Sequence, residues 1–587
     1  MNARGIPSSF AWTWPAGVGR AGLSRARVGL ARPGLARFGL AGVSPAHLGR
    51  ARASSLLAPL IVAVACSGPP ASSSTGGSGG AGSGDAAPGA SSTAARPRDL
   101  WVDATAALLD STAEWTNKVE LADLDGDGRL DLLFANGGDY SEPGDPEPNR
   151  AFFNRGPDAR FADGTARVFG AVPDLARVVK ARDFDADGNV DVFVGTTYQT
   201  RSRLFMGLGG GDFEERSDTH LPRTALSLGD AEPGDVDGDG DLDLVLADWG
   251  AGNNMTNQGG RTRLWLNDGG ARFTDASDGR MPPALVRFSW DLELVDVDND
   301  LDLDVLVSCK RCGGGHLFRN AGDGRFEEDA RGLPQYTNNY DFEAMDLDGD
   351  GFLDLVTIND GEIVGGVGSS RREHVFRNDG EGRFRDATDA WWPPSENVGE
   401  DDNVVAFLDY DSDGDADFLI GSLSGPDRLL VNDGTGRLAN ADAVFSGEDT
   451  PGTLGMALGD LDGDGRMDVV QSQGEHRTAV QERIFLGRGL TPDGAPPFVG
   501  NVTATAAARG QVLVRARVHD HKSPTLEAEW RRVEVRWASG DAESVQPMRW
   551  YGEYLWRATI PVGAAGLRVC AEDASGNETC AEVAATP

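Results

Sequence analysis

Histidine is scarce in this chain: seven occur in 587 residues, and none sits in a His-Glu-x-x-His arrangement. No phosphate-cradling Gly-rich loop is present either, so the residue sets of zinc proteases and NTP hydrolases are missing. The one Gly-x-Ser-x-Gly match, Gly76–Gly80, has no strand or helix signal around it and does not read as a nucleophile elbow. Positive charge is short as well. Against 92 Asp and Glu stand 54 Lys and Arg, and the net charge of −38 repels nucleic acid and anionic lipid surfaces. The first 53 residues invert that balance and hold no acid at all. The apolar run that follows, Leu56–Ala65, is ten residues long, about half of the roughly 20 that a bilayer-crossing helix needs. What is plentiful is glycine (79) and proline (30), which suits a turn-rich all-β chain better than a helical one.

A basic segment, a short apolar core and small residues before Cys66 describe a secretory signal. Ala63-Val64-Ala65-Cys66 resembles the lipobox of bacterial lipoproteins, in which the cysteine is lipidated and becomes the new N-terminus. Ala63 stands where leucine is usual, so ordinary signal-peptide cleavage is the alternative. Residues 67–99 are Ser, Gly, Ala and Pro with almost no apolar bulk, a composition that reads as a disordered linker. The expectation is an export segment over 1–66 and an extracytoplasmic protein: a bacterial outer-membrane or cell-surface lipoprotein, otherwise a secreted one. Its only membrane contact would be the lipid anchor.

One nine-residue pattern, Asp-x-Asp-x-Asp-Gly-x-x-Asp, recurs along the chain. Its copies hold Asp123, Asp125, Asp127 and Asp131; Asp183, Asp185, Asp187 and Asp191; Asp235, Asp237, Asp239 and Asp243; Asp346, Asp348, Asp350 and Asp354; Asp409, Asp411, Asp413 and Asp417; and Asp460, Asp462, Asp464 and Asp468. A further copy, Asp296, Asp298, Asp300 and Asp304, has Leu301 where the others have glycine. Successive starts lie 60, 52, 61, 50, 63 and 51 residues apart. Alternate carboxylates converge on one point only if the chain curls tightly, and glycine at position 6 permits the curl. Three carboxylates, the carboxylate at position 9, a backbone carbonyl at position 7 and water make an oxygen set for calcium. The carbonyl donors are Arg129, Asn189, Asp241, Asp302, Phe352, Asp415 and Arg466, whose side chains are expected to be spare. Up to about seven calcium ions are expected, and seven would cancel fourteen of the 38 negative charges. Plain solvated Asp-Gly turns are the bland alternative.

The loops are not EF-hands, because position 12 is Phe134, Val194, Leu246, Val307, Thr357, Ile420 or Gln471 rather than an acid. Each is followed by a strand-like run such as Leu130-Asp131-Leu132-Leu133-Phe134. Downstream of most loops comes a second hairpin signal, as in Leu264-Trp265-Leu266-Asn267-Asp268-Gly269, Leu317-Phe318-Arg319-Asn320 and Val375-Phe376-Arg377-Asn378. Two hairpins per period make four strands, the content of a propeller blade. These paired elements resemble the FG-GAP/VCBS repeats of the integrin α-subunit propeller and its bacterial relatives. The resemblance implies a seven-bladed β-propeller over 100–498, calcium in the Asp loops, and use as an adhesion or ligand-display scaffold.

Trp101-Val102-Asp103-Ala104-Thr105 looks like the phrase that follows each hairpin elsewhere (Thr274-Asp275-Ala276-Ser277, Arg385-Asp386-Ala387-Thr388), detached from its repeat. It is expected to complete the last blade beside Ile484-Phe485-Leu486; an extra strand with no closing role is the alternative. Beyond Phe498 the Asp loops stop. Alternation at Val512, Val514, Ala516 and Val518, at Val533, Val535 and Trp537, and at Tyr554, Trp556, Ala558 and Ile560 predicts an immunoglobulin-like or fibronectin-like sandwich over 499–587. A hairpin centred on Ser575 makes Cys570 and Cys580 partners. Cys309 and Cys312 suggest a local bridge, with a redox motif or half a zinc site as alternatives. The expected function is a monomeric, non-enzymatic scaffold recognising a carbohydrate or protein ligand, and a propeller-based polysaccharide lyase or hydrolase is the alternative. Trp391-Trp392-Pro393-Pro394 offers either a sugar-stacking face or blade packing.

Overall fold

The computed structural model describes residues 97–583, apart from 112–113, 140–141, 158, 254–255, 311, 337, 360–362, 365–366, 369–371, 448–451, 475–480 and 540–541. The export segment, Cys66 and nearly all of the linker lie outside these residues. Among the described residues the chain is all-β, with helices of a single turn, and no helix is long and apolar enough to cross a membrane.

Seven four-stranded antiparallel sheets succeed one another along the described chain, each with an Asp loop between its first and second strands. The first sheet runs Thr116–Ala122, Asp131–Asn136, Arg150–Phe153 and Ala162–Asp163. All six residues of Asp131–Asn136 are buried, and the same holds for Asp191–Thr196, Asp243–Asp248 and Asp417–Ser422. That explains their near-continuous apolar runs: these second strands are covered on both faces. The apolar core accordingly lies between adjacent sheets, as where Val178, Phe193 and Leu204 meet Ala231, Leu244 and Trp265. First strands neighbour one another in order: Thr116–Ala122, Ala176–Arg182, Leu228–Gly234, Leu292–Val295, Asn339–Met345, Asp402–Leu408, Thr453–Gly459, and back to Thr116–Ala122. The result is a closed, propeller-like ring.

Closure uses the detached phrase. Val102 pairs with Leu486 and Asp103 with Phe485, and the Trp101 indole N–H donates to the Met467 carbonyl at 2.9 Å. Thr105 then behaves as its counterparts do in complete repeats. Its N–H donates to Asp103 (2.9 Å), as Ser277 N–H does to Asp275 (3.0 Å) and Thr388 N–H to Asp386 (2.9 Å). Its hydroxyl accepts from Ile484 N–H at 2.9 Å, as Ser277 does from Leu264 and Thr388 from Val375.

First strands have one edge with no strand beside it, and buried N–H groups there need acceptors. Carboxylates of the preceding sheet supply them. Asp230 accepts from Leu292 N–H (3.4 Å), Asp291 from Phe342 (3.1 Å), Glu293 from Ala344 (3.2 Å) and Asp341 from Val405 (2.9 Å). Cations share the space that these first-strand edges enclose, the channel of the ring: Lys118 lies 3.5 Å from Asp230 and 3.9 Å from Asp291, Lys180 2.5 Å from Glu232, and Arg182 2.8 Å from Glu120.

After the ring come two further four-stranded sheets, with Phe498 already paired to His519 in the first of them. They share one core of Val514, Ala516, Val518, Val533, Val535, Trp556, Ile560 and Val569. Tyr554 departs from the alternation read in the sequence. It leaves this core, joins an apolar cluster of the ring, and donates its hydroxyl to the Ala344 carbonyl at 2.8 Å. Tyr551 does the same at Leu301 (2.8 Å), and its carbonyl accepts from Asp235 N–H (2.8 Å). The turn from Tyr551 to Tyr554 therefore sits in the ring at its Asp-loop end. Both disulfides form, Cys309–Cys312 and Cys570–Cys580, the latter between directly paired residues. Trp392 is fully buried against Phe418 and packs the core, so it offers no face to a sugar.

Candidate metal centres

The first loop shows how the sequence builds the turn. Asp123 at position 1 accepts from Gly126 N–H (2.8 Å) and Asp127 N–H (3.0 Å) on one oxygen, and from Gly128 N–H (2.8 Å) on the other. Gly128 takes φ +83°, a left-handed conformation that glycine adopts without a Cβ clash. The bond from position 6 to position 1 recurs in all six glycine-bearing loops, at 2.8–3.0 Å. Position 5 accepts from position 7 N–H, as Asp127 does from Arg129 at 3.1 Å and Asp350 from Phe352 at 3.0 Å. In the fourth loop Leu301 keeps the turn at φ +66°, with its side chain fully buried; such strain costs about 1–3 kcal/mol.

Position 9 fastens each loop to its sheet. Asp131 accepts from Leu124 N–H (3.0 Å) on one oxygen and Asn154 N–H (2.7 Å) on the other. Asp354 does so from Leu347 (3.1 Å) and Asn378 (2.8 Å). Burial, offset in part by these bonds and reinforced by neighbouring carboxylates, pushes Asp131 and Asp191 up to about 7, and Asp243, Asp354 and Asp468 up to about 8.

Position 3 is different. One oxygen each of Asp125, Asp237, Asp298, Asp348 and Asp462 is buried and accepts no hydrogen bond, a state that position 9 shows only at Asp304. An acceptor buried without a donor costs about 1–3 kcal/mol, so five loops hold an oxygen that a cation would satisfy. Carboxylate oxygens also converge: those of Asp123, Asp125 and Asp127 lie within 4.8 Å of one another, as do those of Asp183, Asp185 and Asp191; Asp235, Asp237 and Asp239; and Asp296, Asp298 and Asp300. All-oxygen donors, several of them charged, with loop carbonyls at hand, fit a hard cation of calcium's size. Arginines stand beside the carboxylates, Arg155 2.8 Å from Asp125 and Arg377 2.6 Å from Asp348.

Two sets of residues escaped the sequence reading. Asn154, Asn267, Asn320, Asn378 and Asn432 end their third strands and donate across to the preceding loop. Asn267 bonds the Phe184 carbonyl (2.8 Å), Asn378 that of Val297 (2.8 Å), and Asn154 closes the circuit at Leu461 (2.8 Å). The signal was present in the repeated hairpin, but its meaning needs the ring order. The other set is the arginines of the second module. The Asp302 side chain, expected to be spare, accepts from Arg515 at 2.6 Å, and Arg557 pairs with Asp235. Where the second module meets the loops, one cleft of about 440 Å³ opens between Asp123, Asp183 and Glu527. Another of about 430 Å³ opens between Asp409, Asp460, His521 and Lys522.

Four stretches, residues 123–194, 183–246, 296–357 and 409–470, match the FG-GAP-like repeat. No curated protein matches the chain. Among solved structures it is similar to a lectin of Agrocybe aegerita described as recognising non-reducing terminal N-acetylglucosamine, at 16% identity over 56% of this chain and 79% of that one, with a TM-score of 0.35. It is also similar to the V. cholerae biofilm matrix protein Bap1, at 15% identity over 83% of this chain and 76% of that one, with a TM-score of 0.29. At these scores the likenesses bear on neither fold nor function.

Proposed function

We propose, from the premise that this chain is an FG-GAP repeat protein, that it is a calcium-stabilised, extracytoplasmic binding scaffold. In this reading residues 100–498 are a seven-bladed β-propeller and 499–587 an immunoglobulin-like or fibronectin-like sandwich. The observation that carries the calcium reading is the partnerless position-3 oxygen in five loops, each inside a cluster of carboxylates. Carboxylates at positions 1, 3, 5 and 9 and the carbonyl at position 7 would hold the ion, whose charge offsets their mutual repulsion.

The ligand is a carbohydrate or a protein segment. Both clefts fall in the size range of ligand sites, roughly 300–1,000 Å³, and both are walled by Asp loops on one side and the second module on the other. Two disulfides favour an oxidising compartment, and Cys66 is the proposed lipid anchor. A glycan array read with and without chelator tests the binding role, with hits then incubated and assayed for cleavage. Calcium-dependent retention of intact glycans is expected, and cleaved products would establish the enzyme reading instead. For the anchor, a palmitate analogue should label the wild type and not Cys66→Ala; an unlabelled wild type rules the anchor out.

A further inference from the structure

Arg517 lies on the second module's strand Gln511–His519, yet its guanidinium is spent on the ring. It donates to the fourth loop at Asp296 Oδ2 (3.2 Å), the Asp296 carbonyl (3.2 Å) and Asn299 Oδ1 (2.5 Å), and to the fifth at the Gly351 carbonyl (3.2 Å). In the six glycine-bearing loops the position-1 carboxylate accepts from the position-6 N–H, and Asp296 likewise accepts from the Leu301 N–H, so Arg517 is an added partner on this carboxylate. The fourth loop has leucine there, and Leu301 shares an apolar cluster with Tyr551 and Leu555 of the module. Arg515 adds bonds to the Leu301 carbonyl (2.9 Å) and the Asp300 carbonyl (3.3 Å). Burial separates this contact from its nearest counterpart: the Arg517 and Asp296 side chains are 2% and 1% exposed, whereas Arg557 on Asp235 is 20% exposed.

We propose that Arg517 and calcium share Asp296 antagonistically, so that the fourth loop is the last of the seven to fill and its filling loosens the second module. The inference rests on the calcium reading above. Asp298 keeps an oxygen without a partner, so the loop can still accept an ion. A guanidinium held on the same carboxylate, away from water, repels that ion with little screening. Coupling of this kind is reciprocal: whatever Arg517 takes from calcium affinity, calcium takes from docking of the module.

The test is a calcium titration of the full chain, with bound ions counted by native mass spectrometry and hydrogen exchange followed over residues 549–557. Six ions should bind in a first phase and a seventh at calcium about tenfold higher or more, with exchange in 549–557 rising only in the second phase. Arg517→Met should bring the seventh ion into the first phase, and Arg517→Lys, which keeps the charge, should leave the two phases apart. Seven ions in one phase in the wild type would overturn the proposal, as would faster exchange during the first phase. These wild-type readings decide the matter even if Arg517→Met does not fold. Binding of no ion at any loop would instead sink the calcium reading itself.

Discussion

On the loop face, Asp125, Asp237, Asp348 and Asp462 each keep a buried oxygen without a partner. In the channel, Asp230, Asp291 and Asp341 spend theirs on backbone N–H groups of the next sheet. Lys118 stands close to the first two of these acids. Both regions crowd acids together. The channel carries its own cations and donors and leaves one Glu293 oxygen buried without a partner, whereas in the loops such oxygens sit where several carboxylates converge on one place for a positive charge. The difference separates acids that hold the ring together from acids that, under the proposed calcium binding, would hold an ion.

Removing a channel cation should have the largest effect. Lys118→Met leaves its acids buried without their ammonium, and about 3–5 kcal/mol of stability should be lost, equally with calcium and with chelator. A loss confined to the calcium-loaded protein would mean that the channel is not self-sufficient. Next comes position 9. Asp354→Ala strands two buried backbone donors, Leu347 N–H and Asn378 N–H, and about 2–4 kcal/mol should go. Denaturant melts with chelator present check it, and an unchanged midpoint there would assign Asp354 to the ion alone.

A smaller effect sharpens the comparison through pH. Burial pushes Glu553 up to about 7, against a hydrogen bond with Tyr554 and the charges of Lys180, Arg182 and Lys522, which pull it down; it faces Glu293 and Glu343. The folded state thus holds this proton more tightly than the unfolded chain does. Its stabilising contribution is complete below about pH 4.5 and is lost as pH rises through about 7. Glu553→Gln should therefore melt as the wild type does near pH 4.5 and above it at pH 8. A constant offset across that window would show that the group does not titrate there.

The loops were legible in the sequence because their chemistry is local: four aspartates and a glycine at fixed spacing, repeated. The closing strand was legible for the same reason, since Asp103 and Thr105 repeat a phrase whose hydrogen bonds recur in complete sheets. The channel acids were not. Leu228-Gly229-Asp230-Ala231-Glu232-Pro233-Gly234 has no apolar alternation, and only ring order shows which N–H groups Asp230 meets. Arg517 and Tyr554 were hidden differently. Residues on the outer face of a sandwich read as solvent-facing or as packing within their own module, and here that face is buried on the ring.

The most direct test of the account is the melting temperature of the full chain in calcium, in magnesium and in chelator, with Asp348→Ala beside the wild type. Each ion that binds only the folded protein adds about 2.7 kcal/mol at a hundredfold excess over its Kd, so several together should raise the wild-type melting temperature strongly. Magnesium, which demands a tighter octahedron, should raise it far less. Asp348→Ala should lose part of the calcium increment and melt no lower than the wild type in chelator. Equal melting temperatures in all three conditions would contradict the account, leaving the seven loops as turns that bind nothing.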